Sequence, residues 1–319
     1  MKKKLLAILL AAAMLLAMSA CSSGSGEKNT YNVGICQLVQ HPALDLATEG
    51  FMDALNEALP GKVNFDNQNA SNDIPMCSTI VNAFISADVD LIMCNATPAL
   101  QAAAAATTTI PILGTSVTEY SVALGLTDYN GTVGGNISGT SDLAPLDQQA
   151  AMVKELFPDA STVGLIYCSA EPNSQYQVDV VKAELEALGY TATLYSFSDS
   201  NDLAAVTESA VAENEVIYVP TDNTVASNTG IIDNICRPAG IPVIAGESGI
   251  CSGCGVASLS ISYYDIGYKT GKMAADILTG KADISTMPIE YAPEFKKVYN
   301  PEICSDLGIE LPDDYSPVE

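Results

Sequence analysis

The feature that most constrains the fold of this chain is an internal repeat. Three segments of the first half align without gaps on three segments of the second half, in the same order. Each segment is an apolar run followed by a polar turn, so the repeated unit is the end of a buried strand. The pairs are "VGICQLVQHPA" (33–43) with "VGLIYCSAEPN" (163–173), "DLIMCNATPAL" (90–100) with "EVIYVPTDNTV" (215–225), and "IPILGTS" (110–116) with "IPVIAGE" (241–247).

Helical patterns alternate with these apolar runs along the whole chain. Such alternation is typical of parallel sheets with crossover helices. We therefore predict an α/β protein with two similar lobes, each a parallel sheet flanked by helices. Among the predicted elements are a strand at Ala123–Leu126 and one long helix at Asn223–Ala239.

The N-terminus has the pattern of an export signal. Three lysines precede an apolar run from Leu5 to Met18, and Ser-Ala then precedes Cys21. The apolar run is too short to span a membrane well. We predict a lipoprotein signal at 1–21, with lipidation at Cys21, and a flexible tether at 22–30. The rest would be exported and anchored to the outer face of the cytoplasmic membrane; the alternative is an ordinary signal peptide with a chance cysteine.

The strongly negative net charge of the chain limits the kinds of molecule that it can bind. The formal net charge of −25 argues against nucleic acid, whose binding depends on Lys and Arg neutralising phosphates. Arg237 is the one arginine in the sequence, near the end of a predicted helix, so a bidentate arginine clamp on an anionic ligand is not expected. We expect no nucleic-acid partner, and we expect the protein to be a monomer.

The cysteines allow several interpretations. Beyond Cys21, most of the nine lie in apolar runs and resemble buried small hydrophobic residues. Cys251 and Cys254 form "CSGC", which fits structural or free thiols, a disulfide, or a metal or redox pair. No second pair lies nearby and His41 is the sole histidine, so we expect no metal and no cofactor.

Polar residues at the ends of the repeated strands are the candidate binding site. In open parallel sheets, ligands bind outside the carboxyl ends of the strands, and two facing lobes would place six such turns around one cleft. For any single turn the alternative is a plain helix cap. The candidates, with two residues of the first hinge, are Gln37, His41, Thr97, Pro98, Ser116, Val117, Ser141, Asp142, Glu171, Asn173, Ser174, Thr221, Asp222, Asn223, Glu247 and Ser248.

Other functional classes find little support. The sequence contains no G-x-S-x-G, Walker A or HExxH motif, so an enzyme is not expected. The glycine-rich stretch 129–139 has no lysine and reads as a loop and a strand. A repressor of related fold would need a basic helix-turn-helix where this chain has an export signal.

Nearly the whole mature chain resembles one known family. "VGICQLVQHPALDLATEGFMDAL", "NFDNQNASND", "CNATPALQAA", "YVPTDNTVAS" and "SYYDIGYKTGKMAADIL" are similar to the substrate-binding lipoproteins of ABC transporters of the tryptophan/tyrosine type. The resemblance implies a type I periplasmic-binding-protein fold. It also implies capture of a small solute, aromatic amino acids in characterised members, and delivery to a membrane permease driven by an ATPase. A lipid-anchored sensor that feeds a receptor is the alternative.

The same resemblance implies three crossings between the lobes. The first lobe would comprise 31–141 plus 262–289, and the second 142–261 plus 290–319. Short hinges of this kind permit closure around a ligand.

For an amino acid, the residues suggest which groups would hold each end. Backbone N–H groups at helix N-termini and hydroxyls would hold the carboxylate. Three places offer them: Thr97 with Pro98, Ser116 with Val117, and Asn173 with Ser174. Acids in the other lobe would hold the ammonium, first Asp222, then Glu247 and Asp142. Asp222 could instead only cap its helix.

Overall fold

The computed structural model describes residues 30–318, which form two sheets with helices on both faces. The predicted signal peptide, tether and lipidated Cys21 lie outside the described residues, apart from Thr30. The strands are β1 Tyr31–Gln37, β2 Val63–Asn69, β3 Leu91–Asn95, β4 Ile112–Val117, β5 Ile137–Ser141, β6 Thr162–Cys168, β7 Thr191–Phe197, β8 Val216–Val219, β9 Val243–Ala245, β10 Ala257–Ser260, β11 Glu290–Tyr291, β12 Lys296–Tyr299 and β13 Ser316–Pro317.

The helices fill the connections between these strands. A short 3₁₀ turn at Ile284–Thr286 precedes β11. The helices are α1 Pro42–Ala58, α2 Ile74–Ser86, α3 Thr97–Ala106, α4 Tyr120–Leu124, α5 Leu146–Leu156, α6 Pro172–Ala187, α7 Leu203–Glu213, α8 Asn223–Ala226, α9 Thr229–Ala239, α10 Ser248–Cys254, α11 Tyr263–Leu278 and α12 Pro301–Leu307.

The strand order shows the repeat directly. The first sheet runs β11-β5-β4-β3-β1-β2, and the second runs β13-β12-β10-β9-β8-β6-β7. In the repeated part, β4-β3-β1-β2 corresponds to β9-β8-β6-β7, and all of these neighbours are parallel. Among the strand pairs formed by residues 30–318, the pairing of β10 with β12 is the antiparallel one. The predicted two-lobed α/β architecture is confirmed.

Both faces of each sheet are covered, which explains the uninterrupted apolar strands. In β1, Val33 and Ile35 face one buried cluster while Cys36 faces another on the opposite side. In β8, Ile217 and Tyr218 divide in the same way between two clusters. Alternate residues of a strand point to opposite faces, so each lobe has its own two-sided core.

The chain crosses between the sheets after β5, after β10 and after β11. Helix α11 returns to the first lobe, where it packs against α1, β4 and β5. The packing is close because Gly267 has no side chain: a methyl group there would lie 2.0 Å from the carbonyl oxygen of Ala47.

One predicted boundary between the lobes needs correction. Glu290 and Tyr291, assigned to the second lobe, pair with Thr140 and Ser141 in the first sheet.

Three predictions of local structure were wrong. Ala123–Leu126 is not a strand, because Glu119 caps Ser121 N and Gly125, at φ 62°, ends helix α4. The long helix at Asn223–Ala239 is two helices, α8 and α9, with a break at Ser227 and Asn228. Helix α10, which contains "CSGC", was not predicted; Glu247 caps its first turn.

The cysteines of the described chain are all buried and all free. Cys251 and Cys254 face the core of the second lobe, with their thiols directed at main-chain carbonyls of Gly255 and Ile250. Within residues 30–318, no three His, Cys, Asp or Glu side chains are grouped to hold a metal ion. No helix in that range is long and apolar enough to cross a membrane.

Candidate ligand-binding cleft

The six predicted turns lie at the carboxyl ends of β1, β3 and β4 in one lobe and of β6, β8 and β9 in the other. Two hydrogen bonds join the lobes across them. His41 Nε2 lies 3.3 Å from Asn223 Oδ1, and Asn72 Nδ2 donates to Thr224 Oγ1 at 3.1 Å. His41 is only 6% exposed and Thr224 only 3%. The lobes are therefore closed over the turns.

Four side chains, which lie on these turns or at the first crossing, each have a polar atom without a hydrogen-bond partner among residues 30–318. We call a side-chain atom open when it is buried and has no hydrogen-bond partner within residues 30–318. A buried polar group left unpaired costs about 1–3 kcal/mol, so such atoms on the turns of a closed cleft are candidate ligand contacts. The open atoms here are His41 Nδ1, Ser116 Oγ, Asp142 Oδ1 and Asn173 Oδ1.

Asp142 is the acid best placed to bind a cation. Its Oδ2 accepts a hydrogen bond of 3.1 Å from the hydroxyl of Tyr263, while its Oδ1 is open. Burial raises the pKa of Asp142 to about 6; the hydroxyls of nearby Thr118 and of Tyr263 oppose this rise. A ligand ammonium would give the carboxylate the charged partner that its surroundings do not provide.

Asp222, our first expectation for the ammonium partner, is instead used by the fold. Its Oδ1 accepts from Val225 N at 2.9 Å, which caps α8, and its Oδ2 accepts from Cys168 N at 2.7 Å. The side chain thus ties the end of β6 to the start of α8. Burial, together with the nearby Glu171, raises the pKa of Asp222 to about 7.

The other two acids of the second lobe also bind the main chain. Glu171 accepts at both oxygens from the amides and side chains of Asn223 and Thr224. Glu247 accepts at both oxygens from Gly249 N and Ile250 N, and burial raises its pKa to about 7. Both acids therefore accept hydrogen bonds from amides at the start of a helix. This is the helix-cap alternative that the sequence left open.

The opposite side of the cleft carries donors at the start of α3. The first main-chain bond of this helix runs from Leu100 N to Ala96 O, so the amides of Thr97 and Ala99 precede it, and Pro98 has no N–H. Ser116, with its open hydroxyl, is the penultimate residue of the neighbouring strand β4. Amides at a helix start and a hydroxyl are suited to a carboxylate.

Backbone strain coincides with this part of the cleft. Ala96 has φ 94° and ψ 157°, a region that is essentially restricted to glycine, and Ser116 has φ 54°. Such conformations cost about 1–3 kcal/mol each and cluster at functional sites. Both strained residues lie at the ends of neighbouring strands, which supports a binding role for this edge.

The remaining predicted residues have supporting positions. Gln37 bonds Val39 O, Asp45 and Thr48, and Ser141 bonds Thr118 O. The amide of Ser248 donates to Ser260 Oγ. Thr97, Pro98, Val117 and Ser174 are buried. The carbonyl oxygen of Thr221 accepts hydrogen bonds from the side-chain amides of Asn173 and Gln177.

Three residues that form the cleft were not among the predicted site residues. Tyr263 reaches Asp142 from the second crossing, and Asn72 and Thr224 form a bond between the lobes. Thr224 belongs to the polar turn after β8, which the repeat does indicate. Asn72 comes after β2 and Tyr263 after β10. Neither strand is followed by one of the six matched turns, so the repeat did not indicate that these two residues reach the cleft.

Comparison with known proteins shows the family of this chain. Residues 32–317 match the family described as ABC transporter substrate binding protein. A "Tyrosine-binding protein" of Clostridioides difficile (strain R20291) is 35% identical, over 97% of this chain and 93% of the relative. A structure from Streptococcus pneumoniae, described as an ABC domain in complex with L-Trp, is 31% identical with a TM-score of 0.86, covering 91% of this chain and all of the other.

A third relative helps to place the conformation. The ligand-free, open structure of CD0873 from Clostridium difficile is 39% identical, covers 91% of this chain and 99% of the other, but has a TM-score of only 0.69. The chain thus resembles the L-Trp complex more closely in shape, as expected from the hydrogen bonds between its lobes.

The predicted resemblance to binding proteins of the tryptophan/tyrosine type is confirmed. These relatives bind solutes and are not enzymes. The chain belongs to the family of ABC transporter substrate-binding proteins.

Proposed function

We propose that this protein captures an aromatic amino acid outside the cytoplasm and delivers it to the permease of an ABC importer. The observation that carries the ligand class is the pair of complementary open groups: Asp142 Oδ1 at the first crossing, and Ser116 Oγ beside the start of α3. An α-amino acid has one cation and one anion, which these two groups would receive. The named ligands of its relatives, tyrosine and L-Trp, support an aromatic side chain.

The sequence supports the cellular setting. The lysines, apolar run and Ser-Ala-Cys21 pattern fit an exported protein anchored by lipid at Cys21. Such an anchor would hold a monomeric binding protein beside its permease and ATPase. Replacing Cys21 with Ala should release the exported protein from the membrane fraction; retention there would contradict the anchor.

The ligand class is tested by thermal denaturation of residues 27–319 with each of the common amino acids. A ligand at about a hundred times its Kd adds roughly 2.7 kcal/mol, which corresponds to a rise in Tm of about 5–10 °C for a chain of this size. We expect this rise with tyrosine or tryptophan and none with aspartate or lysine. A flat response to every aromatic amino acid would refute the proposed ligand.

A further inference from the structure

The hydrogen bonds around helix α8 fix the orientation of one amide. Glu171 is a carboxylate, which only accepts hydrogen bonds, and its Oε2 lies 2.6 Å from Asn223 Nδ2. The reversed amide would place two acceptor oxygens against each other. Asn223 therefore directs its Oδ1 away from Glu171 and toward the opposite lobe, where it lies 3.3 Å from His41 Nε2.

This orientation fixes the tautomer of His41. An amide oxygen only accepts, so Nε2 must carry the proton that His41 shares with Asn223. Burial lowers the pKa of His41, so the ring is neutral and carries one proton. Its Nδ1 is then a lone-pair acceptor, and this atom is open.

Asn173 presents a second acceptor from the same region. Its Nδ2 donates to Thr221 O at 3.2 Å and lies 3.4 Å from Glu171 Oε2. Both of these partners accept, so the amide nitrogen faces them and Oδ1 is the open atom. The network of Glu171 thus leaves two buried acceptors, His41 Nδ1 and Asn173 Oδ1, without a donor. A ligand in the cleft would have to supply one.

The ammonium of an amino acid is better accommodated elsewhere. A carboxylate is the stronger partner for a cation because the hydrogen bond is charge-assisted, and Asp142 has the open carboxylate oxygen. With the ammonium at Asp142, the acceptors of His41 and Asn173 are left for the side chain of the ligand.

We propose that His41 is a specificity-determining residue: its Nδ1 accepts the phenol O–H of tyrosine or the indole N–H of tryptophan and thereby rejects phenylalanine. This inference rests on the proposed binding of aromatic amino acids. A site built around an acceptor discriminates against a ligand without the donor, since the acceptor is then buried unpaired. Phenylalanine should bind at least about tenfold more weakly than tyrosine.

The experiment is calorimetric titration of tyrosine, tryptophan and phenylalanine into the wild type, His41→Phe and Asn72→Gly. The first variant removes the acceptor and keeps a planar ring. The second removes the other bond between the lobes, and glycine accommodates the φ of 63° at position 72. We expect His41→Phe to bring the affinities for tyrosine and phenylalanine within about threefold, whereas Asn72→Gly weakens all three ligands and keeps their ratios.

Equal wild-type affinity for phenylalanine and tyrosine would overturn the inference while the proposed function stands. So would an equal loss of affinity for all three ligands in His41→Phe. If the wild type bound no aromatic amino acid, the proposed function itself would fail, and this inference with it.

A test on the ligand needs no variant. In 3-(3-benzothienyl)alanine a sulfur replaces the indole N–H at nearly the same size. The wild type should bind it at least about tenfold more weakly than tryptophan; equal affinity would contradict an acceptor that requires the donor.

Discussion

Tyr263 donates to Asp142 across 3.1 Å, although the two residues are 121 positions apart. Asp142 begins the first crossing between the lobes, and Tyr263 ends the second. Both side chains are buried, so one hydrogen bond joins two hinge segments beside the open carboxylate oxygen. In this arrangement the group that we propose to bind the ammonium is also in contact with the segments that must move when the cleft opens.

Replacing Asp142 with Asn should weaken amino-acid binding strongly. The substitution keeps the shape of the side chain but removes its charge, so the ammonium loses a charge-assisted partner, worth about 1.5–3 kcal/mol. We expect Kd to rise about 10- to 100-fold in calorimetric titration. Asp147→Asn, at an exposed acid in the first turn of α5, is the control and should leave Kd unchanged. Unchanged affinity in Asp142→Asn would exclude Asp142 as the ammonium partner.

The ligand-free protein should become more stable as the pH falls from 8 to about 5.5. Burial raises the pKa of Asp142 to about 6 and those of Asp222 and Glu247 to about 7. A carboxyl whose folded pKa is raised contributes stability at low pH that is lost as the pH rises through the folded value. Each pKa unit corresponds to about 1.4 kcal/mol, or about 3–6 °C in Tm.

The check is Tm against pH for the wild type and Asp142→Asn without ligand. The variant should lack the part of the slope between about pH 5 and 7 that belongs to Asp142. Parallel curves for the two proteins would show that this carboxyl does not titrate in the folded state as its burial indicates.

Asp222→Ala should unfold more easily, because it leaves the amides of Cys168 and Val225 buried without their acceptor. Each lost bond costs about 1–3 kcal/mol, and we expect a free energy of unfolding lower by about 2 kcal/mol or more, measured in urea. Asp222→Asn retains one acceptor oxygen, so its free energy of unfolding should lie between those of the wild type and Asp222→Ala. Loss of ligand binding in Asp222→Ala at unchanged stability would restore the ammonium assignment instead.

Ala96→Gly should stabilise the protein. Glycine adopts φ 94° and ψ 157° without the steric cost that alanine has there, a gain of about 1–3 kcal/mol, reduced by about 0.5–1 kcal/mol of chain entropy. We expect a rise in Tm of a few degrees. Ala102→Gly, in the interior of α3, is the matched control and should lower Tm. A lower Tm in both variants would show that Ala96 is not strained.

The repeat in the sequence was sufficient for the architecture. The strands Tyr31–Gln37 and Thr162–Cys168 recur with the turns that follow them, and buried parallel strands need the same apolar run in each lobe. Local capping was harder to predict. The apolar pattern at 123–126 indicated a strand, but the cap at Glu119 and the left-handed Gly125 make Tyr120–Leu124 a helix.

The amino-acid sequence was enough to predict two lobes, the turns that meet between them and the resemblance to solute-binding proteins. The role of each acid became visible only in the folded chain. Asp222, Glu171 and Asp142 look alike in sequence, but backbone amides reach the first two and leave one oxygen of the third open. The physical reason is that hydrogen-bond donors come from whatever main chain the fold brings near. A carboxylate takes its role from those neighbours, and chain order does not record them.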